Sequence, residues 1–251
     1  MKKLILILLA AASFASCTKN NTVPPPEVVK NLMKEIYVWD NGVPETSNYT
    51  YDAQGRLTED KDDSWTESFN YVSASTLVVT TRKTSDNSLE NTKECELNAS
   101  GYITKVILKN PGGAVTYTYE FTYNAEGYLT KFNAFTPGGS GYGREYTYVN
   151  GNPVSVKIYS NGVQTGTGEY IFDNTKSNKT PWGVGGLWPS YKLFGKRYKN
   201  LVSEYKQFNM SNTLTYHSQN VFELDAQGYP TKTTTTDVLL GKQGVSTSTY
   251  Q

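Results

Sequence analysis

Apolar and polar residues alternate along most of the chain after residue 45. Val115, Tyr117, Tyr119, Phe121 and Tyr123 share one face of an extended segment, and Thr116, Thr118, Glu120 and Thr122 share the other. A period of two is that of a half-buried β-strand. Val154, Val156 and Ile158 repeat it. The contrast weakens in Thr231 to Thr236, where little apolar surface predicts a place near a sheet edge. Only Val28 to Ile36, behind Pro24 to Pro26, suits a short helix.

The alternating runs are punctuated by one recurring turn. The clearest copies are Tyr51-Asp52-Ala53-Gln54-Gly55-Arg56-Leu57-Thr58, Leu97-Asn98-Ala99-Ser100-Gly101-Tyr102-Ile103-Thr104, Tyr123-Asn124-Ala125-Glu126-Gly127-Tyr128-Leu129-Thr130 and Leu224-Asp225-Ala226-Gln227-Gly228-Tyr229-Pro230-Thr231. Asp or Asn in the first position accepts from the backbone two residues on. The next pair suits a type I turn, and Gly takes the left-handed conformation that rejoins the strands through a bulge. Asp52, Gly55, Asn98, Gly101, Asn124, Gly127, Asp225 and Gly228 are therefore structural turn residues of β-hairpins. Degenerate copies lie at Tyr148 to Val154 and at Phe172-Asp173-Asn174.

The residues just before these turns, Tyr51, Leu97, Tyr123, Val149, Phe172 and Leu224, are separated by 46, 26, 26, 23 and 52 residues. The two long steps are each close to two short ones. They imply further hairpins around Tyr71-Val72-Ser73 and Tyr198-Lys199-Asn200, and a period of about 25 residues. About 14 to 16 strands follow, more than an open twisted sheet usually holds. The expected fold is all-β, an antiparallel meander curled into an open or partly closed barrel. Its interior would be too wide for side chains alone to fill.

Composition changes this picture mainly at the N-terminus. The 251 residues carry 24 Lys and Arg against 23 Asp and Glu, with one His, two Cys and 20 Tyr. That balance excludes a disulfide framework and a nucleic-acid surface, and no cofactor or metal is expected. Mean hydropathy of −0.53 argues against a bundle of membrane helices. Lys2 and Lys3 precede a short apolar run, Leu4 to Ala12, which reads as a secretory signal over residues 1–16. Phe14-Ala15-Ser16-Cys17 resembles the lipobox of bacterial lipoproteins, in which the Cys is acylated. Cys17 is thus the expected lipid anchor, residues 17–27 a Pro-rich tether, and residues 28–251 a single domain. Loss of the two lysines takes the net charge from +1 to about −1.

Tyr-Asp-Ala-Gln-Gly-Arg-Leu-Thr at 51–58 resembles the YD repeats of Rhs proteins. Together with the lipobox, the Asn152-Pro153 turn and the late Pro-aromatic loop, it resembles Bacteroidetes secreted lipoproteins of the DUF4595 type. The resemblance implies a porin-like fold and no assigned activity. Thr18 after the Cys implies an outer-membrane lipoprotein by resemblance to sorting rules, with the periplasmic and surface leaflets both open.

The candidate chemistry is sparse. Residues 180–195 break the period and concentrate two of the four Trp residues. Long apolar loops of this kind either plug a sheet or bind. Trp182, Trp188, Tyr191 and Phe194 are the candidate ligand platform, suited to a glycan, and the competing reading is a plug over one end. Cys95 reads as a packed small residue, since His217 has no supporting motif. Glu59 to Asp63 reads as a solvated turn and lacks the Gly and distal Glu of a calcium loop. No nucleophile elbow, triad or phosphate loop is present.

The expected function is a monomeric cell-envelope binding or scaffolding module, held to the membrane at Cys17, with a glycan or an envelope protein as partner. A glycan-capture or glycan-active protein is the alternative. A third reading, an integral outer-membrane barrel, conflicts with the Thr, Lys and Glu of the outward strand positions.

Overall fold

The computed structural model describes residues 30–182, 188 and 190–251. Sixteen strands follow one another in chain order: β1 Leu32–Val38, β2 Pro44–Tyr51, β3 Leu57–Lys61, β4 Trp65–Ser73, β5 Thr76–Lys83, β6 Leu89–Leu97, β7 Ile103–Lys109, β8 Val115–Tyr123, β9 Leu129–Phe135, β10 Gly141–Val149, β11 Asn152–Ser160, β12 Val163–Ser177, β13 Asn200–Asn209, β14 Leu214–Leu224, β15 Pro230–Asp237 and β16 Lys242–Tyr250. Each pairs antiparallel with its sequence neighbours, and β1 pairs with β16 to close the barrel. Asn31 and Gln251 extend that seam by exchanging two backbone hydrogen bonds, of 2.9 and 3.0 Å.

Closure removes every edge, so Thr231 to Thr236 occupies a fully paired strand between β14 and β16 rather than an edge. The segment expected to be helical is instead β1 from Leu32 onward. Its Glu35 and Tyr37 face one side and its Ile36 the other, which is the strand period.

The marked turns adopt one geometry. Asp52 Oδ1 accepts the backbone N–H groups of Gln54 and Arg56 at 2.9 Å each, and Gly55 N–H donates to Asp52 O at 2.9 Å. Asn98, Asn124 and Asp225 repeat the arrangement. Gly55, Gly101, Gly127 and Gly228 have φ of 70°, 79°, 90° and 83°, the left-handed region. The register shifts by one residue beside each turn, between Thr50 and Tyr51 for example, as a bulge requires.

Two expected hairpins are absent. Phe172-Asp173-Asn174 lies within the long β12, where only an irregularity in pairing to β13 marks it. Tyr198-Lys199-Asn200 is the return of the long excursion into β13, not a turn. The hairpin at Tyr71 to Ser73 is present between β4 and β5.

Antiparallel alternation sends the marked turns, the Val149 to Asn152 turn and the described residues between 178 and 199 to one end of the barrel. The turns after β1, β3, β5, β7, β9, β11, β13 and β15 lie at the other. Alternation also sorts the two faces. Tyr49, Phe69, Val79, Cys95, Val106, Phe121, Phe132, Tyr146 and Val156 point inward and are buried. Outward positions pair charges across strands: Lys109 with Glu94 at 2.6 Å, Lys131 with Glu145 at 3.0 Å and Lys232 with Glu223 at 2.8 Å. The outer wall is therefore suited to water rather than lipid.

Gly127→Val would force a β-branched residue to φ near 90° and press on the Tyr102 ring, 3.3 Å from the added carbon. We expect a loss of about 1–3 kcal/mol in urea unfolding. An unchanged midpoint would contradict this role of the turn.

Candidate functional site

The excursion at 178–199 docks on the rim of turns. Lys196 N–H donates to Gly127 O at 2.7 Å, and Lys199 N–H donates to Gly151 O at 3.0 Å. Gly195, at φ 90°, lies so close to Gly127 O that an added Cβ would stand 2.6 Å away. Below the rim, Asn152 Nδ2 donates to Asn200 Oδ1 at 3.0 Å, and Asn200 N–H donates to Asn152 Oδ1 at 2.9 Å. Both side chains are buried, so this reciprocal pair satisfies groups that would be costly to leave unpaired.

From that anchorage the excursion drops apolar side chains into the barrel. Trp188 is 2% exposed, Leu193 5% and Phe194 1%. Ring contacts then run across the lumen: Phe69 to Trp188 at 5.2 Å, Trp188 to Phe194 at 5.7 Å, Phe194 to Phe121 at 5.4 Å and Phe121 to Phe132 at 5.3 Å. Each fully buried large apolar side chain contributes about 1.5–3 kcal/mol. The excursion thus fills one end of a space that strands alone leave empty.

Of the expected platform, Trp182, Trp188 and Phe194 do not share one surface. Trp188 and Phe194 are core residues, and Tyr191 begins the short 3-10 turn Tyr191–Leu193. Trp182 is half-buried and lines a separate cavity of about 290 Å³ with Tyr37, Tyr198, Phe222, Asn220, Thr233, Thr235 and Ser246. Cys17 lies outside the described residues.

The plug is tied to a polar cluster that sequence reasoning missed. The Glu67 carboxylate, inward on β4, accepts from Trp188 Nε1 and from Lys93 Nζ. Thr81 Oγ1 also donates to it at 3.0 Å, and Lys93 Nζ donates to Thr81 Oγ1 at 2.9 Å. The available signal was parity: Glu67 shares the face of Phe69 and Tyr71, and Lys93 shares that of Cys95 and Leu97. A charge on the aromatic face of an alternating strand points into the barrel.

Beside Glu67 lies a cavity of about 350 Å³ lined by Asp60, Asp62, Trp65, Glu67, Thr81, Glu90 and Asn91. Asp60 is a strand residue facing inward opposite Tyr49 and Glu67, so the acidic run is not wholly the expected solvated turn. Burial, reinforced by Glu67, Asp62 and Glu35, pushes its carboxyl up to about 7. Burial also raises Glu35, against a hydrogen bond from Ser246 Oγ. Cys95 lies deeper, and burial pushes its thiol up to about 12, the behaviour of a packed residue rather than a nucleophile. No group of three or more His, Cys, Asp or Glu among the described residues is arranged to hold a metal.

Comparison with known proteins fits this architecture. Residues 46–232 match the family described as a domain of unknown function (DUF4595) with porin-like fold. The chain belongs to the DUF4595 family. A porin-like protein from Bacteroides uniformis superposes with a TM-score of 0.68 at 15% identity, covering 90% of this chain and 99% of the other. A porin-like protein from Bacteroides vulgatus gives 0.64 at 11% identity, covering 88% and 98%. At such identities the likeness concerns the fold. No curated protein matches the sequence. In this DUF4595 chain the barrel is porin-like in shape, while its aromatic face is turned inward.

Two outcomes follow. Trp188→Ala removes the centre of the ring contacts and a partner of Glu67, and should cost about 3–5 kcal/mol in urea unfolding. A cost below about 1 kcal/mol would contradict the plug. Asp60 titrates higher when folded than its ordinary 3.8, so between those values the folded state holds more protons. Stability should therefore fall as pH rises through about 7, and the advantage of Asp60→Asn over the parent should be larger at pH 8 than at pH 5. Equal differences at both pH values would refute the burial of this carboxyl.

Proposed function

We propose that this protein is a cell-envelope lipoprotein, tethered through acylated Cys17 and residues 17–27, whose barrel serves as a binding module. Its ligand enters the lumen from the end opposite the plug. The observation that carries this reading is the asymmetry of the interior. One end is closed by Trp188, Leu193 and Phe194, while the cavity beside Asp60, Trp65 and Glu67 is lined, buried Thr81 apart, by half-buried groups that solvent reaches. That cavity sets one aromatic ring, Trp65, among converging polar groups, the kind of placed groups that orient a small ligand.

Glycan capture is the second reading. It is favoured by the Trp182 cavity, where aromatic rings stand beside the hydroxyls and amide of Thr233, Thr235, Ser246 and Asn220. An integral barrel is disfavoured by the charged pairs along the outer wall.

Purified protein screened against host and dietary polysaccharides and their oligosaccharides tests the module. Retention that Trp65→Ala or Trp182→Ala abolishes, and outward Lys105→Ala leaves intact, supports a lumenal site. Retention insensitive to both tryptophans, or turnover of the bound glycan, contradicts it. For the anchor, Cys17→Ser should move the protein from the membrane fraction into the aqueous phase of a detergent partition. Unchanged membrane retention would refute lipidation.

A further inference from the structure

Across β14, β15, β16 and β1 one row of the inner wall reads Phe222, Thr233, Ser246 and Tyr37, each paired with the next. Its inward direction follows from parity with buried Ser218 and Asp237, whereas Val221 beside it is 66% exposed. The two rings at the ends of the row stand three strand spacings apart, about 14 Å along the wall. Between them lie only two small hydroxyl side chains. A row that is bulky at both ends and slight in the middle leaves a hollow.

Two more rings, Trp182 and Tyr198, enter the same cavity from the excursion at the plugged end. Tyr198 is held there by a hydrogen bond with Thr180 and by an edge contact with Phe172, 6.1 Å between ring centroids. The volume, about 290 Å³, is at the small end of the range for ligand sites, roughly 300–1,000 Å³. It suits one compact group.

Among the described residues that line the cavity, Glu35 alone carries a carboxyl, and none carries a positive charge. Glu35 lies on β1 one pleat from Tyr37, about 7 Å along the strand, and accepts from Ser246 Oγ. Burial raises its carboxyl and that hydrogen bond lowers it; no cation takes part. Arg197 is within electrostatic reach of the Tyr198 hydroxyl, but it donates to Asn178 O at 3.0 Å and does not belong to the lining.

Four rings and an acid with no counter-ion suit a cation that asks for no hydrogen bonds. Ring faces attract such a charge, and the carboxylate balances it. A primary ammonium would need three acceptors. The cavity supplies them poorly, because Ser246 is engaged with Glu35, and Asn220 donates to Val202 O at 3.1 Å and accepts from Thr235 Oγ1 at 2.8 Å.

We propose that Glu35, with Tyr37, Trp182, Tyr198 and Phe222, forms a lumenal site for a quaternary ammonium group of the choline type. This inference rests on the reading of the lumen as a ligand site and names a ligand class for one of its cavities.

The full-length protein, purified in a non-ionic detergent, would be titrated with choline, glycerophosphocholine, ethanolamine and neohexyl alcohol, the uncharged isostere of choline, while tryptophan fluorescence and thermal unfolding are followed. Saturable choline binding is expected, with ethanolamine and the isostere weaker by about tenfold or more. Glu35→Gln, which keeps the shape of the side chain, should weaken choline about tenfold and leave the isostere unchanged. Trp182→Leu removes one ring, should weaken choline similarly, and supplies the answer where Glu35→Gln fails to fold. Outward Lys131→Gln should change nothing. Glycerophosphocholine bound more tightly than choline assigns the site to a lipid headgroup, and bound no more tightly assigns it to the free cation.

Three results would overturn the proposal: no saturable choline binding, ethanolamine or the isostere bound as tightly as choline, or choline binding unchanged by Glu35→Gln and Trp182→Leu. Retention of a neutral glycan that depends on Trp182 but not on Glu35, with choline unbound, would leave the lumenal module standing and remove this ligand class alone. Choline binding with every polysaccharide refused would keep this site and remove the glycan reading.

Discussion

The two-residue alternation of the strands is the constraint on which this structure depends. Sixteen paired strands close with no edge, and the pleat then commits every second residue to the inside. In a membrane-spanning barrel the apolar set faces outward. Here the aromatic set, Phe69, Phe121, Phe132 and the tyrosines between them, faces inward, and cross-strand Lys–Glu pairs cover the outside. The porin-like shape is thus filled as a water-soluble core would be.

Strands alone cannot fill that core, because sixteen of them enclose more space than their side chains occupy. The excursion at 178–199 resolves this at one end, and it does so through the repeated turns. Their left-handed glycines bring bare backbone carbonyls to the rim, and Gly127 and Gly151 accept from Lys196 and Lys199. The same motif therefore both makes hairpins and supplies the seat for the plug. At the other end no comparable segment among the described residues enters, and the inner wall carries Glu35, Asp60 and Glu67.

Much of the fold was legible because alternation and turn chemistry are local. The four full Asp/Asn-to-Gly copies identify hairpins at one end, and their spacing leads to the strand number. The opposite turns were harder to see. Asn110 to Gly113 and Asn209 to Asn212 reach the same geometry, with the backbone N–H groups of Ala114 and Thr213 donating to the Asn side chains, but Pro111 or a left-handed Asn212 disguises them. Phe172-Asp173-Asn174 misled because an Asx pair looks alike in a bulged strand and in a turn. β1 reads as a helix from its own residues because one of its two partners, β16, stands at the far end of the chain. The candidate site was half legible: the loop was visible as an interruption, but burial of Trp188 and Phe194 depends on contacts with β4 and β8. The inward charges had a signal in their parity with the aromatics, and it acquires meaning only once the barrel closes.

Acrylamide quenching of two single-tryptophan proteins tests the central claim most directly, that one end is plugged and the other admits solvent. One keeps Trp188 and the other keeps Trp65, with the remaining three tryptophans changed to Phe. Blue-shifted, poorly quenched emission from Trp188 and readily quenched emission from Trp65 is the predicted result. Equal quenching of the two would contradict the plugged barrel.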